Sequence, residues 1–140
     1  MNILEPDILV AVLSLLILAV AVWLAVNLSA KRSTQLDRSK LRSQWQEVRK
    51  LLAGGETKRY AVIEADKLLD TALKGLNFKG ENMGERLKSA NASLGNQNAV
   101  WSAHKLRNKL VHESDYHPNQ SEINTAVVAF EKAMKKLGAL

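Results

Sequence analysis

Between Trp101 and Glu113, His104, Asn108 and His112 recur at four-residue intervals, and Arg107 stands directly before Asn108. On a helix, at roughly 100° per residue, successive members of that series fall about 40° apart and share one face. Two imidazoles, a carboxamide and a guanidinium form a set suited to phosphate chemistry. Imidazole moves protons near neutral pH, and a guanidinium offers a planar fork of donors to phosphoryl oxygens. His112 falls near the end of its helix, where the helix dipole favours a cation. The same residues also have a purely structural use. Arg107 can pair with Glu64, Asp66 or Glu85 on a neighbouring helix, His112 can bond the last carbonyls of its own helix, and His104 can fill a half-buried site beside Trp101.

Other chemistries are poorly served. With no cysteine in the chain, disulfides, thiolate metal sites and cysteine nucleophiles are excluded. His112, Glu113, Asp115 and His117 are ligand types for zinc or manganese. Their spacing straddles a helix end and a proline loop, however, and a solvated loop is the simpler account. Gly54-Gly55 lacks the following Lys-Ser/Thr of a phosphate loop, and no nucleophile elbow occurs. No metal and no cofactor is expected.

The pattern Arg107-Asn108-x-x-x-His112, on a helix of an all-α chain and followed by Glu113, resembles the signature of the HEPN superfamily. Tyr60 to Leu73, with the run Ala61-Val62-Ile63-Glu64-Ala65-Asp66-Lys67, looks like an early helix of those bundles. The resemblance covers about residues 57–138. It implies a helical bundle that in many members is a metal-independent endoribonuclease, acting as a homodimer with two motifs facing across one cleft. His112 would then move the proton of the RNA 2′-hydroxyl, Arg107 would stabilise phosphoryl charge and Asn108 would position them, with His104 and Glu113 as auxiliary residues. Other members are silent modules that bind RNA, nucleotides or protein partners. From residue 57 the bundle is short for the family, so the preceding helix would have to supply a layer.

The chain must also place this motif relative to a membrane. The nineteen residues Ile8 to Val26 carry no charge and are dominated by Leu, Ile and Val. As a helix they would extend roughly 28 Å, close to the ~30 Å hydrocarbon core of a bilayer. At about −0.4 kcal/mol for each branched aliphatic residue, insertion is favoured by roughly 5 kcal/mol. No Lys or Arg precedes the run, whereas Lys31, Arg32, Arg38, Lys40, Arg42, Arg49 and Lys50 follow it. That asymmetry predicts a single-pass plasma (inner) membrane protein with its N-terminus outside and the rest cytoplasmic. A cleaved signal peptide fits less well, because the first residues are acidic and Leu28-Ser29-Ala30 is a poor cleavage site. The basic block serves topology and attraction to anionic head groups better than it serves nucleic acid, since only Trp45 interrupts it with an aromatic ring.

The expected organisation is a short extracytoplasmic N-terminus (1–7), a transmembrane helix (8–28), a basic juxtamembrane amphipathic helix (29–53) and a cytoplasmic helical bundle (57–138), all-α with four to five helices. The membrane helix is expected to run on towards Ala53, with a bend near Asn27–Ser29 at most. Leu41, Trp45, Val48 and Leu52 mark a narrow apolar stripe in that extension, needing either the bundle or a second copy to cover it. Helices follow from Thr57 to about Leu76, from Met83 to Ala90 capped by Asn82, from about Ala99 to Glu113, and from Glu122 to Leu137 capped by Ser121. The partners implied are the lipid bilayer, RNA and a second copy of the chain. The alternative is a non-enzymatic scaffold recruiting an unidentified protein to the membrane.

Overall fold

A computed structural model of the chain describes residues 6–33 and 36–140. Contacts divide the molecule into two units, Met1–Gln35 and Leu36–Leu140. The described residues of the first form one helix, α1 (Pro6–Ser33). No residue of its segment Ile8–Val26 is buried inside the protein. A helix that is apolar all round and wholly exposed needs lipid, not water, as its surroundings. This is the form of a membrane anchor or a signal sequence.

The second unit is all-α. It comprises α2 (Arg38–Ala53), α3 (Lys58–Gly75), α4 (Met83–Ser89), a 3₁₀ turn at Asn91–Ser93, α5 (Gln97–His112) and α6 (Gln120–Lys136). The long α3 lies at the centre, with α2, α4, α5 and α6 all packed against it, and α5 and α6 pack on each other. Leu69 and Leu73 of α3, Leu87 of α4, Val100 of α5, and Phe130 and Met134 of α6 are fully buried where these helices meet.

Two expectations about the connection to α1 are corrected. The extension from the apolar run is not one helix over 29–53. Residues 29–33 belong to α1, residues 34–35 lie outside the described residues, and α2 starts afresh at Arg38. Asp37 caps it by accepting a hydrogen bond from the Lys40 N–H at 3.0 Å. The boundary of the bundle also moves, because, of the two covers open to the α2 stripe, it is the bundle that supplies one. Leu41, Trp45 and Val48 are buried in the common core, so the compact unit begins at Leu36 instead of residue 57. Burying three such side chains is worth roughly 1.5–3 kcal/mol each. Leu36 itself crosses the end of α3 so closely that a Cβ on Gly75 would come within 2.9 Å of it.

Helix ends are set by local chemistry. The α6 N-cap is Asn119 rather than Ser121. Its side chain accepts from the Glu122 N–H and the Glu122 carboxylate accepts from the Asn119 N–H, a complete capping box. At the other end Gly138, at φ 68°, closes a Schellman motif, with Ala139 N–H donating to the Met134 carbonyl and Gly138 N–H to that of Lys135. The short α4 is fastened to α3 by Arg86, which is buried and donates to Asp70 and to the Gly80 carbonyl, each at 2.6 Å.

Candidate functional site

On α5 the polar series faces α3 at its start and solvent at its end. His104 is buried, 9% exposed, beneath the edge of Trp101, whose ring meets it T-shaped at 6.1 Å. Opposite it stands Asp66 of α3, 3% exposed, a carboxylate in the same helical stripe as Val62, Leu69 and Leu73. His104 Nδ1 lies 2.7 Å from Asp66 Oδ1 and donates to it. Nε2 on the other side of the ring then accepts from the Asn108 amide at 3.3 Å. Asn108 Oδ1 in turn accepts from Arg107 Nη1 at 3.0 Å. Arg107 Nε returns to within 3.4 Å of Asp66 Oδ2. That last contact is coulombic only, because the Nε–H is not aimed at the oxygen and finds no hydrogen-bond partner.

Asp66, His104, Asn108 and Arg107 therefore form a closed ring of four side chains joining α3 to α5. A buried carboxylate is costly unless paired and hydrogen-bonded, and this ring supplies one imidazole donor and one guanidinium charge. The Arg107 side chain is 30% exposed, so one edge of the fork serves the ring while part of the guanidinium still reaches solvent.

His112 stands apart. It is the last residue of α5, is exposed, and makes no hydrogen bond or ion pair among the described residues. The last turn of its helix is secured from elsewhere, by Arg59 of α3, which donates to the Leu110 carbonyl at 3.2 Å. Glu113 is the exposed C-cap residue. Arg107, Asn108 and His104 are thus brought together, whereas His112 and Glu113 are not joined to them. Among the described residues no group of three or more acidic, histidine or cysteine side chains is placed to hold a metal.

The largest cavity described, about 770 Å³, lies elsewhere, between α5 and α6. It is lined by Asn98, Ser102, Lys105, Lys109, Tyr116 and Thr125 among others, and none of Arg107, Asn108 or His112 borders it.

Asp66 is the member of the site that motif reading underweighted, as it figured only as one of three possible partners of Arg107. The signal was available. Asp66 interrupts the apolar series Val62, Leu69, Leu73 on the buried side of α3, and a carboxylate there demands a partner. Compared with family models, curated proteins and solved structures, the chain matches none.

Proposed function

We propose that this chain is a membrane-anchored, HEPN-like helical bundle that acts as an interaction module rather than as a nuclease. In this reading α1 spans the plasma membrane with the N-terminus outside, and the bundle is cytoplasmic. The observation that carries it is the engagement of Arg107. A guanidinium that must stabilise charge on a scissile phosphate has to be free to meet it. Here its Nη1 donates to Asn108 and its Nε lies 3.4 Å from the buried carboxylate of Asp66, so that edge of the fork is turned towards the fold. Asn108, the other half of the motif, is spent on His104. His112 is exposed and makes no hydrogen bond, among the described residues, to a group that would orient it for acid–base catalysis. The arrangement suits a motif retained for what it does to the fold.

The ribonuclease is the second reading, and one observation favours it. His112 is exposed at the tip of α5 and Arg107 is partly so, leaving both within reach of a second copy of the chain. Incubating the full-length protein in lipid nanodiscs with single-stranded RNA and a chelator separates the two. The interaction module gives no products beyond those of the His112→Ala variant. Cleavage to cyclic-phosphate ends that disappears in His112→Ala would establish the nuclease and end the first reading.

A further inference from the structure

We infer that the outward face of α2 is a docking surface for an anionic lipid leaflet, and that this contact orients the whole bundle on the membrane. The inference rests on α1 being the membrane anchor, and it adds to that reading which side of the bundle lies against lipid. Because Leu41, Trp45 and Val48 are fixed in the core, the direction of every other α2 side chain is fixed too. Arg38, Lys40, Arg42, Arg49 and Lys50 are all exposed, against a single acidic residue of the helix, Glu47. Arg38, Arg42 and Arg49 fall within about 40° of one another on the helical wheel, along one flank.

Some of these cations have partners inside the protein. Arg49 pairs with Glu131 and Lys50 with Glu47, both at 2.7 Å, and Arg38 donates to the Gly138 carbonyl. Lys40 and Arg42 have no acidic partner among the described residues. Elsewhere in the bundle the acidic side chains at the helix contacts, Asp66, Asp70 and Glu131, are each paired. With five cations and one carboxylate, the sixteen residues of α2 carry a net charge of +4, against +3 for the whole of residues 54–140.

What should cover it is decided by position in the chain. Arg38 follows the last residue of the apolar run, Val26, by a dozen residues. A tether that short holds the helix at an effective concentration near the millimolar range with respect to the leaflet, so even a weak attraction keeps it docked. Each Lys or Arg close to an anionic surface contributes a factor of roughly five in occupancy. Soluble nucleic acid has no such advantage.

Docking has a consequence for the rest of the bundle. α2 packs chiefly on α3, whereas α5 packs on α3 and α6 and shares no extended contact with α2. With α2 on the leaflet, α5 and the groove between α5 and α6 are turned away from the lipid and offered to a partner.

The absence of cysteine permits a clean test. Full-length protein carrying a single nitroxide at Gln46→Cys on α2, or at Asn98→Cys on α5, is placed in nanodiscs of zwitterionic lipid or of lipid containing a third phosphatidylglycerol. Collision with a water-soluble paramagnetic reagent is expected to fall severalfold at position 46 in the anionic discs, to recover in high salt, and to stay unchanged at position 98. Combining Lys40→Glu with Arg42→Glu should abolish the fall. Equal accessibility in both lipids, or protection at position 46 by added RNA but not by anionic lipid, overturns the proposal. A chain that does not enter nanodiscs at all overturns the anchor and the docking together, whereas one that enters without lipid-dependent protection overturns the docking alone.

Discussion

The carboxylate of Asp66 and the imidazole of His104, 38 residues apart in the chain, meet at 2.7 Å with both side chains buried. The pair clasps α3 to α5 and sets the ring orientation that lets Asn108, and through it Arg107, complete the circuit. Asp66→Ala leaves the His104 Nδ1–H without its acceptor, and His104→Ala leaves a buried carboxylate with one cation, Arg107, that is near it but not hydrogen-bonded to it. Each is expected to cost roughly 2–4 kcal/mol. Because both changes break the same contact, the double variant should be less destabilised than the sum of the two, by about 1–3 kcal/mol. Denaturant unfolding of the four proteins measures this, and additive losses would mean that the two residues act independently.

Trp45 decides whether α2 belongs to the bundle. Its side chain is buried in the common core, with an indole N–H that finds no acceptor. Trp45→Ala should cost about 3–5 kcal/mol by opening a cavity, while Trp45→Phe, which removes the unpartnered N–H, should cost much less. If α2 were a stalk outside the core, Trp45→Ala would leave the unfolding midpoint of the bundle unmoved.

Asp70 makes stability depend on pH. Burial pushes its carboxyl up, but the hydrogen bonds and charges of Arg86 and Lys74 outweigh burial and hold it below the ordinary carboxylate range. Glu131, opposed by burial and held down by Lys135 and Arg49, behaves in the same way. A carboxylate depressed by folding stabilises the native state at any pH above its unfolded value, about 3.9 for Asp. That contribution is lost as pH falls through the lower, folded value. Unfolding free energy is therefore expected to decline below about pH 4. Asp70→Asn should be less stable than wild type at neutral pH and should converge with it in acid. A deficit that stays constant with pH would show that the loss is one of packing, not of charge.

Much of this architecture was legible in the sequence, for stateable reasons. The helices expected from Thr57, Met83 and about Ala99, which start at Lys58, Met83 and Gln97, declared themselves by apolar spacing and by Asn82, whose side chain does accept from the Glu85 N–H. Where two polar residues competed for one cap, spacing alone chose wrongly. Asn119 wins over Ser121 because Glu122 falls three residues after it and can reach back to its N–H. The break before Arg38 was hidden because no Gly or Pro marks it, and Asp37 acts through a side-chain cap instead. For the site, a helical wheel put His104, Asn108 and His112 on one face, but it could not show that the first is buried, the second half-buried and the third exposed. Burial is set by the neighbouring helices, and no periodicity within α5 records how deeply each of its turns sits.

The account turns on whether Arg107 works within the fold or on a substrate, and its most direct test compares Arg107→Ala with His112→Ala in the full-length chain by denaturant unfolding. Arg107→Ala should lose roughly 1–3 kcal/mol, because Asp66 keeps its charge and loses a cation, whereas His112→Ala should stay within about 0.5 kcal/mol of wild type. Two variants as stable as wild type, both lacking an RNA-cleaving activity that wild type displays, would contradict it.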